Sequence, residues 1–138
     1  MDCSELKQLL LQKQCSCVIQ NGADVRCFYQ RGVLDLYTLW KEEPNFLSNA
    51  FIADKVVGKA AAALMILGKI KHLHTLVISE PALTLLQKSN VLVDYDRLVP
   101  HIINRLKTDW CPLEKRCYLC STEKECLQEI EQFLSEQQ

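Results

Sequence analysis

Residues 53–62 read ADKVVGKAAA, and four of them carry chemistry: Asp54, Lys55, Gly58 and Lys59. A Gly-Lys pair ahead of an alanine run reads as the start of a helix. The first backbone N–H groups of a helix have no intrahelical partner, and the helix dipole favours negative charge there. With Gly58 admitting a ligand to the backbone and the lysines adding movable positive charge, this start suits phosphate or carboxylate recognition. It is not a nucleoside-triphosphate loop of the G-x-x-x-x-G-K-[ST] kind, because Ala53 stands at the first glycine and Ala60 at the hydroxyl residue. The competing reading is architectural: Ala60 to Ala63 would let a buried helix sit close to a sheet.

A second group lies near the C-terminus. Cys111-Pro112-Leu113-Glu114 sets a thiol and a carboxylate three residues apart, on one face if the segment is helical. A thiol near lysines or a helix start has its thiolate favoured. Cys111 is therefore the candidate nucleophile, with Asp54 and Glu114 as its acid–base partners. The alternative is a capped turn that Pro112 opens and Glu114 complements. Cys111, Cys117, Cys120 and Cys126 follow the spacing C-x5-C-x2-C-x5-C. Four thiolates could close a structural zinc site, but a zinc ribbon carries two C-x2-C knuckles and this segment has one. Unlinked thiols or a redox pair is the competing reading, and Cys126 also falls at a core position of a last helix with Leu127, Ile130 and Phe133. Cys3, Cys15, Cys17 and Cys27 lie in periodic segments and read as small buried hydrophobes. His72 and His74 alternate on one strand face with no carboxylate close in sequence, which reads as a polar strand start rather than a metal pair.

The elements that must position these groups follow from periodicity. SELKQLLLQK predicts an amphipathic helix with Ser4 as its cap. Two β-prone runs, CSCVIQ and ADVRCFY, flank Asn21-Gly22 and predict a hairpin whose two turn positions take positive φ. A helix over 34–40 ends before Pro44. A short strand at 50–52 precedes a helix over 58–67. Then come a strand at HLHTLVIS, a helix at SEPALTLLQKS with Pro81 in its first turn, and a strand at VLVDYDRLV. A short helix is expected over 100–106, and a last one over 122–133 with Thr122 and Glu125 spaced as a capping box. Strands alternating with helices mean an α/β sandwich, helices on both faces of a mixed sheet. The 138 residues form one domain, closed by a cysteine-rich helical segment at about 111–138.

Composition narrows the function classes. The formal net charge is −1 and no basic stripe interleaved with aromatics appears, so nucleic acid is not expected as a partner. The N-terminal MDCSELKQ is acidic and polar where an export signal would be positive and then apolar. The longest apolar run, Ala60 to Leu67, is too short for a bilayer. A soluble cytoplasmic protein is expected, with reduced cysteines.

Five pieces of this sequence, taken together, resemble a known family. They are ADKVVGKAAAALM, Arg31-Gly32-Val33, Ser79 with Ala82, Asn104-Arg105, and Cys111-Pro112-Leu113-Glu114. The family is bacterial, of unknown function, with a cytidine-deaminase-like fold, and the resemblance runs from about Cys17 to Glu114. It implies a three-layer α/β/α sandwich. It does not imply deaminase chemistry. Zinc deaminases need an H-x-E-type motif at one helix start and P-C-x-x-C at the next, whereas this chain offers Gly58-Lys59-Ala60 and Pro81-Ala82-Leu83-Thr84-Leu85.

The sequence thus leads to a protein that binds, and turns over if Cys111 is reactive, a small anionic metabolite or nucleotide. Lys55, Gly58 and Lys59 would hold the anion, Asp54 would orient it or accept a proton, and Arg31, Ser79, Asn104 and Arg105 would add polar contacts. Lys59→Ala is then expected to abolish binding and leave the melting temperature unchanged. The alternative is a non-catalytic interaction or redox module that uses the C-terminal cysteines. No cofactor is named by any motif.

Overall fold

The computed structural model describes residues 3–30 and 33–137. Helix α1 (Cys3–Lys13) leads into a hairpin, β1 (Cys17–Asn21) and β2 (Asp24–Phe28). Gly22-Ala23 forms its two-residue loop, and only Gly22 takes the left-handed conformation, at φ 61°. Asn21 is therefore the last strand residue rather than a turn residue. Its amide is spent on three carbonyls, those of Asn45, Phe46 and Ser48.

Helix α2 (Leu34–Glu42) stops at the expected proline, but Pro44 then opens the one-turn helix α3 (Pro44–Leu47), burying Phe46 and Leu47. The main departure comes next. Strand β3 (Phe51–Val57) runs well past the expected end and takes in Asp54 and Lys55, which sit on the sheet and not at a helix start. Helix α4 (Lys59–Leu67) begins only after Gly58. The valines at 56 and 57 carry the β pattern through the charged pair, because Asp54 and Lys55 point to different sides of the strand. Strand β4 (His72–Ser79), helix α5 (Glu80–Gln87) and strand β5 (Leu92–Val99) follow the sequence reading.

The helix expected over 100–106 does not form. Ile102 is buried and Ile103 exposed, an alternation closed by a bridge from Ile103 to Trp110. Asn104 stops any helix by turning on itself: its Oδ1 accepts from the Thr108 N–H at 3.1 Å. Helix α6 (Pro112–Cys117) and helix α7 (Glu123–Glu136) complete the chain. The capping box is present, with Thr122 Oγ1 accepting from the Glu125 N–H at 3.2 Å. Ser4, by contrast, lies inside α1 and does not start it.

The five strands form one mixed sheet in the order β2-β1-β3-β4-β5, in which only β1 runs against the others. Helix α1 covers one face, where Leu6 and Leu10 pack with Val18 and Ala53. On the other face Ile19, Ile52, Leu73 and Ile78 meet the buried helix α4, itself enclosed by α2, α5, α6 and α7. Ala60 to Ala63 are all buried, so their small size brings neighbouring helices, as well as the sheet, close to α4. Among the described residues no helix is long and apolar enough to cross a membrane.

Candidate functional site

The C-terminal ends of the parallel strands are where open α/β sheets place ligand clefts. Here a cavity of about 720 Å³ lies at that edge, between the ends of β2 and β3, the start of α4 and the 102–105 and 111–114 segments. Its volume falls in the range of small-molecule sites.

The start of α4 is the best-defined part. The sequence offers this helix start to an external anion, but an internal one occupies it. Glu114 is only 2% exposed, and its Oε1 accepts from the Lys59 N–H at 2.8 Å while its Oε2 accepts from the Ile102 N–H at 2.8 Å. Both carboxylate oxygens are thus committed to backbone donors, one of them an orphan N–H of the helix start. Gly58 has an extended backbone that any residue adopts, so its smallness serves this clamp. A Cβ there would come within 3.2 Å of Ile102 Cγ1 and 3.3 Å of Glu114 Oε1.

Lys59 is buried and turned away from the expected role. Its ammonium donates to the Tyr118 carbonyl at 3.0 Å and to the Cys120 carbonyl, tying down the end of α6. With its charge on those oxygens, the Lys59→Ala expectation of unchanged stability no longer follows. Ser79 is fully buried as the cap of α5, with its Oγ accepting from the Ala82 N–H at 3.3 Å, and it lies outside the cavity. Arg31 lies outside the described residues.

Asp54, Lys55, Gly58, Asn104, Arg105, Cys111 and Glu114 do meet around the cavity. The ADKVVGK and CPLE motifs are neighbours in space. Asp54 is 9% exposed and forms no ion pair with a described residue. Burial above all raises its pKa to about 7, against the opposing pull of the Val56 and Lys55 N–H groups and the Cys17 thiol. Lys55 is half-buried and Arg105 exposed, and both are among the residues that line the cavity.

Two lining residues carry no signal in the sequence. Cys17 lies directly opposite Asp54 in the antiparallel β1–β3 pair, and burial, then the Asp54 charge, push its pKa well up. Asp35, at the start of α2, also lines the cavity and is raised by burial. A cysteine in a β-prone run and an aspartate in a first helical turn are ordinary choices, and only the strand register brings them to the site.

The C-terminal thiols divide. Cys111 opens onto the cavity, Cys117 and Cys126 are buried in the core, and Cys120 lines a second hollow of about 420 Å³. Cys120 is pushed up to about 11 by burial and by Cys126, and Cys126 is pushed far up by its hydrogen bond with Cys117 and by burial. Protonated thiols are poor nucleophiles. No group of three His, Cys, Asp or Glu among the described residues could hold a metal ion.

The model of one protein family, a domain of unknown function designated DUF1893 (TM1506), matches residues 5–134. The crystal structure of a DUF1893 family protein, TM1506 from Thermotoga maritima, is similar over 91% of this chain and 84% of its own, with 27% sequence identity and a TM-score of 0.83. No curated protein matches.

Proposed function

The chain belongs to the DUF1893 family, whose function is unknown, and from that premise we propose that its cavity binds a small anionic, nucleotide-like ligand. One observation carries the reading. The cavity at the carboxyl ends of the parallel strands has apolar walls, Ile19, Leu36 and Ile102 among them, and two cationic residues, the half-buried Lys55 and the exposed Arg105, in its lining. Neither cation forms an ion pair with a described residue. The anionic end of the ligand meets them there, since the helix start is occupied by Glu114.

Asn104 shapes the same rim. In any turnover the Cys111 thiol, at the cavity wall, is the nucleophile and Asp54 the proton carrier, whereas Glu114 holds the start of α4 in place. We read the fold as a cytidine-deaminase-like three-layer sandwich, a reading that the strand order supports. The alternative role, a redox or metal module at the C-terminal cysteines, has the proximity of Cys117, Cys120 and Cys126 in its favour and the raised pKa values of Cys120 and Cys126 against a reactive thiol.

Titration of the protein with inorganic phosphate, ribose 5-phosphate and a nucleoside 5′-monophosphate, followed by calorimetry, tests the proposal. The monophosphate is expected to bind, and Arg105→Ala to weaken it by about tenfold, as for loss of a charge-assisted contact. If none of the three binds, the proposal fails.

A further inference from the structure

The charges of the cavity are sorted by depth. Lys55 and Arg105 stand at the mouth, while the deep wall carries Asp54 and Cys17, both more than nine-tenths buried. Asp35 faces the same space from α2. Of the other ionisable groups that close it, Glu114 spends both oxygens on backbone donors, Lys59 spends its ammonium on the carbonyls of Tyr118 and Cys120, and Cys111 and Tyr29 bring no positive charge. Asp54 therefore lies against an open cavity with the Lys55 and Val56 N–H groups beside it, the latter a long hydrogen bond of 3.4 Å, one thiol neighbour and no ion pair with a cation among the described residues. A buried carboxylate without a cationic partner is costly, and the cost is recovered when a ligand supplies the missing donors.

We propose that the deep end of the cavity recognises an amidine-like group, two adjacent N–H donors on one planar carbon, which the Asp54 carboxylate accepts as a bidentate pair. Planar N–H forks match carboxylates in this way because two parallel hydrogen bonds form at once. The inference rests on the cavity's being a ligand site, but not on the anion at its mouth. It gives the ligand a direction, donors inward and anion outward. The Cys17 thiol, protonated under the same burial, holds the carboxylate from behind the ligand. The Asp54 pKa of about 7 sets the pH response: an amidinium binds the ionised form, so binding drives off the Asp54 proton and strengthens as pH rises to neutrality.

Benzamidine, which carries the fork and no anion, is the probe, with benzamide as its uncharged isostere. NMR-monitored titration between pH 5 and 8 is expected to show benzamidine binding at least about tenfold tighter than benzamide at pH 8, the difference expected of one charge-assisted contact. Its affinity should fall by about tenfold per pH unit below 7, the slope of one linked proton. The Asp54 side-chain carboxyl resonance should titrate at lower pH with benzamidine bound, and Asp54→Asn should remove both the preference and the pH slope. Equal binding of the two probes, or an Asp54 titration unmoved by benzamidine, overturns the proposal even if Asp54→Asn fails to fold. Phosphate ligands that bind while benzamidine does not would sink the inner-end assignment alone. The reverse result would sink the anion at the mouth and leave the inner end standing.

Discussion

The Glu114 carboxylate stands 2.8 Å from the backbone N–H of Lys59, across 55 residues of chain, and fills the helix start that the sequence offers to an anion. This contact joins the two motifs and fixes the floor of the cavity. It also makes Glu114 a stability determinant. Glu114→Gln removes the charge and turns an amide N–H₂ toward one of two backbone donors. A loss of about 2–3 kcal/mol is expected, as for a buried charged hydrogen bond left unpaired, seen as a lower urea midpoint with an unchanged slope. A midpoint within error of the wild type would show that the clamp is dispensable.

Lys59 is expected to behave as a structural residue. Lys59→Met keeps the stem and abandons the part-buried Tyr118 and Cys120 carbonyls, at about 1–2 kcal/mol for hydrogen bonds from a charged donor left unmade. Thermal unfolding reads this directly. An unchanged melting temperature together with lost ligand binding would restore the role that the sequence suggests for the side chain.

Asp54 makes stability pH-dependent. Its folded pKa of about 7 lies above the unfolded 3.8, so the folded state binds the extra proton. Its contribution is fully present below about pH 4 and is lost as pH rises through 7. The difference is on the order of 4 kcal/mol, because each tenfold gap between the two proton affinities is worth about 1.4 kcal/mol. Asp54→Asn should be the more stable protein at pH 8, and the fall between pH 4 and 8 should shrink. Urea unfolding at pH 5 and 8 compares the two chains, and an equal loss of stability in both would contradict the burial argument.

Gly58→Ala tests the packing of the clamp. The new Cβ would press on Ile102 Cγ1 and Glu114 Oε1, and the carboxylate is held by two hydrogen bonds and yields little. A destabilisation of about 1–2 kcal/mol is expected from overpacking, with Glu114→Ala in the same chain cancelling part of it. Additive losses in a double-mutant cycle would separate the two residues.

Cys120 should be a sluggish thiol. With its pKa at about 11, roughly one molecule in a thousand carries the thiolate at pH 8. Alkylation by iodoacetamide should run at least about tenfold slower than for free cysteine and climb steadily with pH. Mass spectrometry of the modified peptide reads the rate, and rapid labelling at pH 7 would favour the redox reading of this segment.

The sequence determined most of the elements by itself, because alternation and helical spacing are local. HLHTLVIS, SEPALTLLQ and the Thr122 cap stand in the structure where their patterns place them. It also singled out 54–59 and 111–114 as segments that carry reactive groups, since charged and thiol groups interrupting apolar runs are visible one residue at a time. Only the tertiary structure decided what they do. Asp54 and Lys55 became strand residues because β3 continues through them to Val57, paired on both sides by β1 and β4. Pairing also turned Cys17 from an inconspicuous hydrophobe into the neighbour of Asp54, and set Asp94 2.6 Å from His72, a carboxylate that nothing near the histidines in sequence supplies. The helix expected at 100–106 fell to the Asn104 turn and to the Glu114 carboxylate drawing in the Ile102 N–H. A motif states which donors and acceptors are available, but their partners are chosen by the fold, which must satisfy every buried one of them at once.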